Sequence, residues 1–419
     1  MQLNRDWRRI LSRKAESDTA VAASVQQILA DVKVGGDAAV RKYAEKFDGF
    51  TGASMEVTPQ EIESAVQNVN PDFLRVLQRA KMQITEFHSN QKERSWGTFK
   101  ENGVIIGQIV RPLEKVAIYV PGGTAAYPSS LLMCAVPAAI AGVKDIIILT
   151  PSKTDGSIAD SILAAAHVCG ISKIYKVGGA HAIAAAAYGT ETIPRVQKII
   201  GPGNIFVATA KQLVYGEVDI DSVAGPSDIL VIADDTADPI HVAADLMSQA
   251  EHGELSSAIL ITTSENLITE TEKEIARQLQ YLSRPDIIRK SLADYGAAVP
   301  VNNLDEAFDI SNEIAPEHLE ILTRDPMIHL PKVYNAGSIF LGAYTPEPLG
   351  DYMSGTNHVL PTGGRAKFFS PLGVYDFVKY SAYSYYPKDV LEEFCDDVIK
   401  FAQAEGLDAH ANSVKVRFP

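Results

Sequence analysis

Apolar positions recur at three- and four-residue spacing through residues 20–28 and 73–84. That spacing predicts helices over the first hundred residues, broken by turn chemistry at Gly35-Gly36 and Asp48-Gly49. From Val116 onward, short β-branched runs alternate with Ala-rich helical stretches, the pattern of parallel strands joined by crossover helices. Three strand-to-helix junctions are expected: 116–120 into Pro121-Gly122-Gly123, 174–177 into Gly178-Gly179, and 198–200 into Gly201-Pro202-Gly203-Asn204. Glycine at a strand's carboxyl end lets a ligand approach the unpaired amides of the next helix start. None of the three is G-x-G-x-x-G, and tight turns alone would account for the glycines of any one junction equally well. A second α/β stretch follows, with strands over 229–233 and 258–262 and helices over 240–250 and 265–282; the two halves could be distant duplicates. Residues 387–404 predict an acidic amphipathic helix with a short polar tail, an arm suited to docking on a partner subunit.

With 419 residues, 46% of them hydrophobic, the chain can bury more than one core, which predicts two large lobes plus terminal pieces. A net charge of -14 disfavours binding to nucleic-acid phosphates or anionic membranes. Cys134, Cys169 and Cys395 are too few and too widely spaced for a disulfide framework or a C-x-x-C metal knuckle. The charged start MQLNRDWRRI and the shortness of every apolar run complete the expectation of a cytoplasmic protein acting on small molecules.

Three histidines neighbour a carboxylate, which can fix an imidazole tautomer or raise its basicity: Glu251-His252, Glu317-His318 and Asp408 near His410. Gln249 and His252 stand three apart at the end of the helix predicted over 240–250, so both can face one point. This is half a metal site, for which Asp351 in the Gly350 to Thr362 loop and His410 in the tail are the candidate completing donors. An all-N/O set suits zinc, with manganese and iron also open; a capped helix end is the simpler reading of Q-x-x-H by itself. Pro316 disfavours helix just before it and places Glu317-His318 on an exposed loop, either as a proton-transfer pair or as a surface pair without a role. Ser227 lacks the glycines of a nucleophile elbow and reads as a hydrogen-bonding residue. Tyr119, at a strand end, suits core packing or a cofactor platform.

In this order, the runs 119–123, 201–204, 224–227, 248–253, 316–319 and 350–361 resemble the histidinol dehydrogenase family over almost the whole chain. The resemblance implies NAD-dependent oxidation of L-histidinol through L-histidinal to L-histidine by a homodimer with one zinc ion per subunit. Zinc would be held by Gln249, His252 and Asp351 of one subunit and His410 of the other, making the carboxyl-terminal tail a swapped arm. The family's substrate contacts fall on Ser227, Gln249, His252, His318, Asp351, His358, Glu405 and His410. Its general base and acid fall on Glu317 and His318, and its NAD contacts on Tyr119, His181 and Asn204. Two positions depart from the family pattern: His181 replaces a glutamine, and Asp228 replaces a glutamate. A histidine cannot offer an amide's donor and acceptor together.

The expected fold is α/β, with two Rossmann-like parallel-sheet lobes, a helical amino-terminal segment (1–20) and a small helical tail (373–419). Residues 21–115 and 228–372 are expected to form the lobe with the metal and catalytic residues, and 116–227 the lobe contacting the nucleotide. Two other readings stay open: a related zinc and NAD dehydrogenase of another small alcohol, such as a sulfonated diol, and a zinc-binding protein without dehydrogenase activity.

Overall fold

The computed structural model describes residues 3–8, 19–122, 126–222 and 225–418. Most of the expected amino-terminal helical segment (1–20), together with Gly123 and Ala224 of the glycine motifs, lies outside them. Helices α1 (Thr19–Asp48), α2 (Pro59–Asn68) and α3 (Pro71–Ser89) come first, then strands β1 (Trp96–Phe99) and β2 (Ile105–Pro112). Strict alternation follows: β3 (Lys115–Tyr119), α4 (Pro128–Ala141), β4 (Asp145–Thr150), α5 (Asp160–Cys169), β5 (Ile174–Lys176), α6 (Gly179–Tyr188), β6 (Lys198–Ile200), α7 (Ile205–Val214) and β7 (Asp219–Ile220). A second series comprises β8 (Asp228–Ala233), α8 (Pro239–Ala250), β9 (Ser257–Thr262), α9 (Glu265–Gln278), α10 (Pro285–Tyr295), β10 (Gly296–Pro300), α11 (Leu304–Ile314), β11 (His318–Leu322), β12 (Ser338–Leu341) and α12 (Glu347–Tyr352). The chain closes with β13 (Val378–Tyr385), α13 (Lys388–Ala404) and α14 (Asp408–Lys415).

Residues 1–91 and 113–377 form one compact unit, and 92–112 with 378–419 form another. The larger unit holds two parallel five-stranded sheets, ordered β5-β4-β3-β6-β7 and β10-β9-β8-β11-β12. Each places its first strand centrally, its second and third to one side and its fourth and fifth to the other, the doubly wound order. Alternate residues of β3 feed opposite cores: Ala117 and Tyr119 face α1, α6 and α7, while Val116 and Ile118 face α2 to α5. Both faces are covered, as parallel sheets require.

Two expectations are corrected here. Residues 19–89 do not pack on the sheet of 228–372: α1 lies against α6 and α7, and α3 against α4, on the first sheet. The reason is the poverty of side chains on α6, whose residues 180–187 are all buried. A helix apolar all round needs cover on its outer side as well, and α1 supplies it. The break expected at Gly35-Gly36 is present as a kink within α1, where Gly36 leaves helical geometry at φ 50 and ψ -138. The tail is not purely helical: the smaller unit is built on an antiparallel sheet, β1-β2-β13, in which Tyr380 pairs with Val110 and Tyr385 with Ile105. Strand β13 had no visible mate because β2 lies far back in the chain. Among the described residues no helix is long and apolar enough to cross a membrane.

Candidate active site

At the amino ends of β8 and β11, Asp228 and the pair Glu317-His318 interlock. The Glu317 amide donates to Asp228 Oδ1 (2.7 Å), and the Asp228 amide donates to Glu317 Oε2 (3.0 Å). His318 Nδ1 sits 3.0 Å from the Asp228 carbonyl oxygen. A carbonyl only accepts, so Nδ1 carries the proton and Nε2 presents its lone pair. Burial holds the His318 imidazole well below its usual range, at about 4, against the opposing pull of Asp351. Burial pushes the Glu317 carboxyl well above the usual range, helped by the neighbouring Asp228 and opposed by hydrogen bonds from the Asp228 amide and Ser227. The expected exposed loop is therefore incorrect: Glu317 is 6% and His318 3% exposed. Pro316 keeps its predecessor out of the right-handed helical region; Ala315, left-handed at φ 55, ends α11 and turns the chain into β11.

Beside this pair, His318 Nε2 lies 3.7 Å from Glu347 Oε1, and one ligand atom each from His318, Glu347 and Asp351 falls within 4.8 Å of the others. Asp351 is on the short helix α12 rather than in the expected loop. His358 joins through Nδ1, 3.1 Å from the Asp351 carbonyl, while its Nε2 is 3.1 Å from Ser130 Oγ. Gln249, in the last turn of α8, is fully buried, and neither atom of its amide finds a hydrogen-bond partner; Glu347 Oε1 is equally without one. Buried polar atoms are normally paired, so the unpaired Glu347 oxygen, grouped with Asp351 and His318, fits a divalent cation. His252 lies just beyond α8, exposed, and acts electrostatically on both His318 and His358.

At the carboxyl end of the first sheet, the Tyr119 hydroxyl accepts the Gly179 amide at 3.0 Å. His181, in the first turn of α6, is 1% exposed, its Nε2 3.6 Å from Asp48 and its ring against Tyr43 and Phe47. Neither ring nitrogen has a hydrogen-bond partner, nor does Asp48 Oδ2. Asn204 is exposed and caps α7, accepting from the amides of Phe206 and Val207. In the smaller unit, Glu405 ends α13 and His410 lies in the first turn of α14, both exposed.

The model of the histidinol dehydrogenase family matches residues 11–418. A histidinol dehydrogenase of Lactococcus lactis is 61% identical over 97% of this chain and 95% of its own length. One from Clostridium acetobutylicum is 55% identical over 97% and 94%. The crystal structure of histidinol dehydrogenase from Elizabethkingia anophelis superposes with a TM-score of 0.94 at 38% identity, covering 98% of this chain and 95% of that one. The chain belongs to the histidinol dehydrogenase family.

Of the family positions expected from the sequence, the larger unit gathers Ser227, Glu317, His318, Asp351 and His358 into one neighbourhood, through the contacts and electrostatic couplings above. Three further acidic residues there escaped the sequence reading. Glu347 and Asp245 carry no local signal. Glu320 does, as a lone charge in the otherwise apolar run of β11; it is fully buried and accepts the Glu347 amide at 2.8 Å. Asp228 is the hub of the hydrogen bonds around Glu317 and His318.

Proposed function

We propose that the chain, an oxidoreductase by its family, oxidises L-histidinol through L-histidinal to L-histidine in the cytoplasm, as a homodimer whose sites are shared. The observation that carries this reading is the buried His318 imidazole, its tautomer fixed by Asp228 and its bare Nε2 facing Asp351 and Glu347. His318 takes the proton of the substrate hydroxyl at Nε2. Glu317, its carboxyl raised well above the usual range chiefly by burial, removes a proton from the water that adds to the aldehyde carbon in the second oxidation. Ser227 and His358 border the substrate, and Glu405 meets its amino group.

Zinc would be held by Gln249, His252 and Asp351 and by His410 of the partner subunit, and would supply a grip on the imidazole and amine of the substrate. NAD, at Tyr119, His181 and Asn204, would supply the two-electron acceptor for each oxidation. Two observations support a second copy as the partner. His410 and Glu405 are exposed on the smaller unit, and the same unit exposes Trp96, Phe99, Tyr385, Phe394 and Phe401. Apolar surface of this kind marks an interaction face.

The deciding experiment measures NADH formation with L-histidinol and with dihydroxypropanesulfonate, alongside bound zinc. Two NADH per L-histidinol, and none from the sulfonate, is the expected result. Turnover of the sulfonate alone would replace the substrate, and zinc uptake with no NADH from either would remove the dehydrogenase reading.

A further inference from the structure

Beneath the Gly201-Pro202-Gly203-Asn204 junction lies an ion pair that the reaction described above does not use. Lys211, on α7, pairs with Asp221, just past β7, and the two side chains are only 4% and 5% exposed. Each also grips the backbone of Gly201: Lys211 Nζ donates to the Gly201 carbonyl (2.9 Å), and the Gly201 amide donates to Asp221 Oδ2 (2.7 Å). The remaining Asp221 oxygen accepts the Ser222 amide at 2.7 Å, at the start of the crossing toward Ser227 and β8.

Gly201 has reason to need holding. Its φ is +109, and a Cβ there would stand 2.2 Å from the Tyr119 carbonyl oxygen. The backbone is thus pressed against the end of β3 in a conformation available to glycine, and three residues later Asn204 opens α7. Two buried charges could be replaced by apolar side chains at little or no loss of stability. Stability alone therefore does not account for the pair, whereas fixing both peptide units of Gly201 does.

We infer that Lys211 and Asp221 are positioning residues for the cofactor: their ion pair clamps Gly201 and so sets Asn204 and the mouth of α7 for the nucleotide. The inference rests on the proposed placement of NAD at Asn204.

The experiment compares steady-state kinetics, bound zinc and thermal unfolding of the full-length holoenzyme with Lys211→Met, Asp221→Asn, the double variant and Asn204→Ala. Each single clamp variant should raise KM for NAD about tenfold, the equivalent of 1.4 kcal/mol, with KM for L-histidinol and zinc content unchanged. Each also leaves a buried group unpaired and should unfold at lower temperature. The double variant, free of unpaired charge, should regain thermal stability while its KM for NAD stays high, because the bond to the Gly201 carbonyl is still missing. A KM for NAD that returns with stability, or never rises, overturns the clamp when Asn204→Ala raises that KM. If Asn204→Ala leaves KM for NAD unchanged, the placement of NAD fails and the clamp with it.

Discussion

Single side chains in this site work by being kept from water. Removing solvent from an imidazole favours its neutral form, and removing it from a carboxyl favours the protonated form; His318 shifts down and Glu317 up, each chiefly by burial. Glu320 shows the cost to stability. Burial, with the Asp245 and Glu347 carboxylates beside it, raises its pKa well above the usual range. Above the carboxyl's unfolded pKa the unfolded chain sheds this proton while the folded chain keeps it, so the unfolded state binds fewer protons and stability falls as pH rises. Glu320→Gln keeps a neutral side chain of the same shape, still able to accept the Glu347 amide. Its melting temperature should drop less than the parent's between pH 5 and pH 8, by about 2 °C or more, measured by calorimetry on metal-free protein. An equal drop in both would show that Glu320 ionises as readily in the folded chain as in the unfolded one.

At the scale of elements, the register between β11 and β12 fixes where Glu317 stands. Gly337 donates to the Pro316 carbonyl (2.9 Å) and Ser338 to that of Glu317 (2.8 Å). A Cβ on Gly337 would sit 2.5 Å from the Glu317 carbonyl oxygen, a backbone atom that cannot swing aside. Gly337→Ala should therefore cost about 1–3 kcal/mol, the usual range for overpacking, and lower kcat by displacing Glu317. Denaturant unfolding and turnover check this together; unchanged values in both would mean that the strand pair yields freely. The same scale explains which elements the sequence revealed. Strand β6 lies where its β-branched run and glycines place it, and β8, β9 and α8 fall within a residue of their expected bounds. The pairing of β2 with β13, and the cover that α1 gives α6, left no local trace, because each joins segments far apart in the chain.

For the whole molecule, the proposed sharing of sites makes a quantitative prediction. His410→Asn and His252→Asn each remove one of the proposed zinc ligands, and each variant alone should lose zinc and activity. Mixed one to one and reassociated, half of the dimers would carry one intact site out of two, giving about a quarter of the parent's activity. Recovery of none, with dimers shown to exchange, would place His410 outside its neighbour's site.

The sequence by itself determined the alternation of strands and helices, the glycine junctions of the first sheet, and the order of motifs that marks the family; these are local patterns, set by side-chain period and backbone freedom. Only the tertiary structure decided that Glu317 and His318 are buried rather than exposed. Only it could bring Asp228, Glu347 and Asp351 around them, or set Lys211 and Asp221 beneath Gly201. Solvent exclusion and the meeting of charges depend on what other segments cover a residue, and no spacing along one segment encodes its cover.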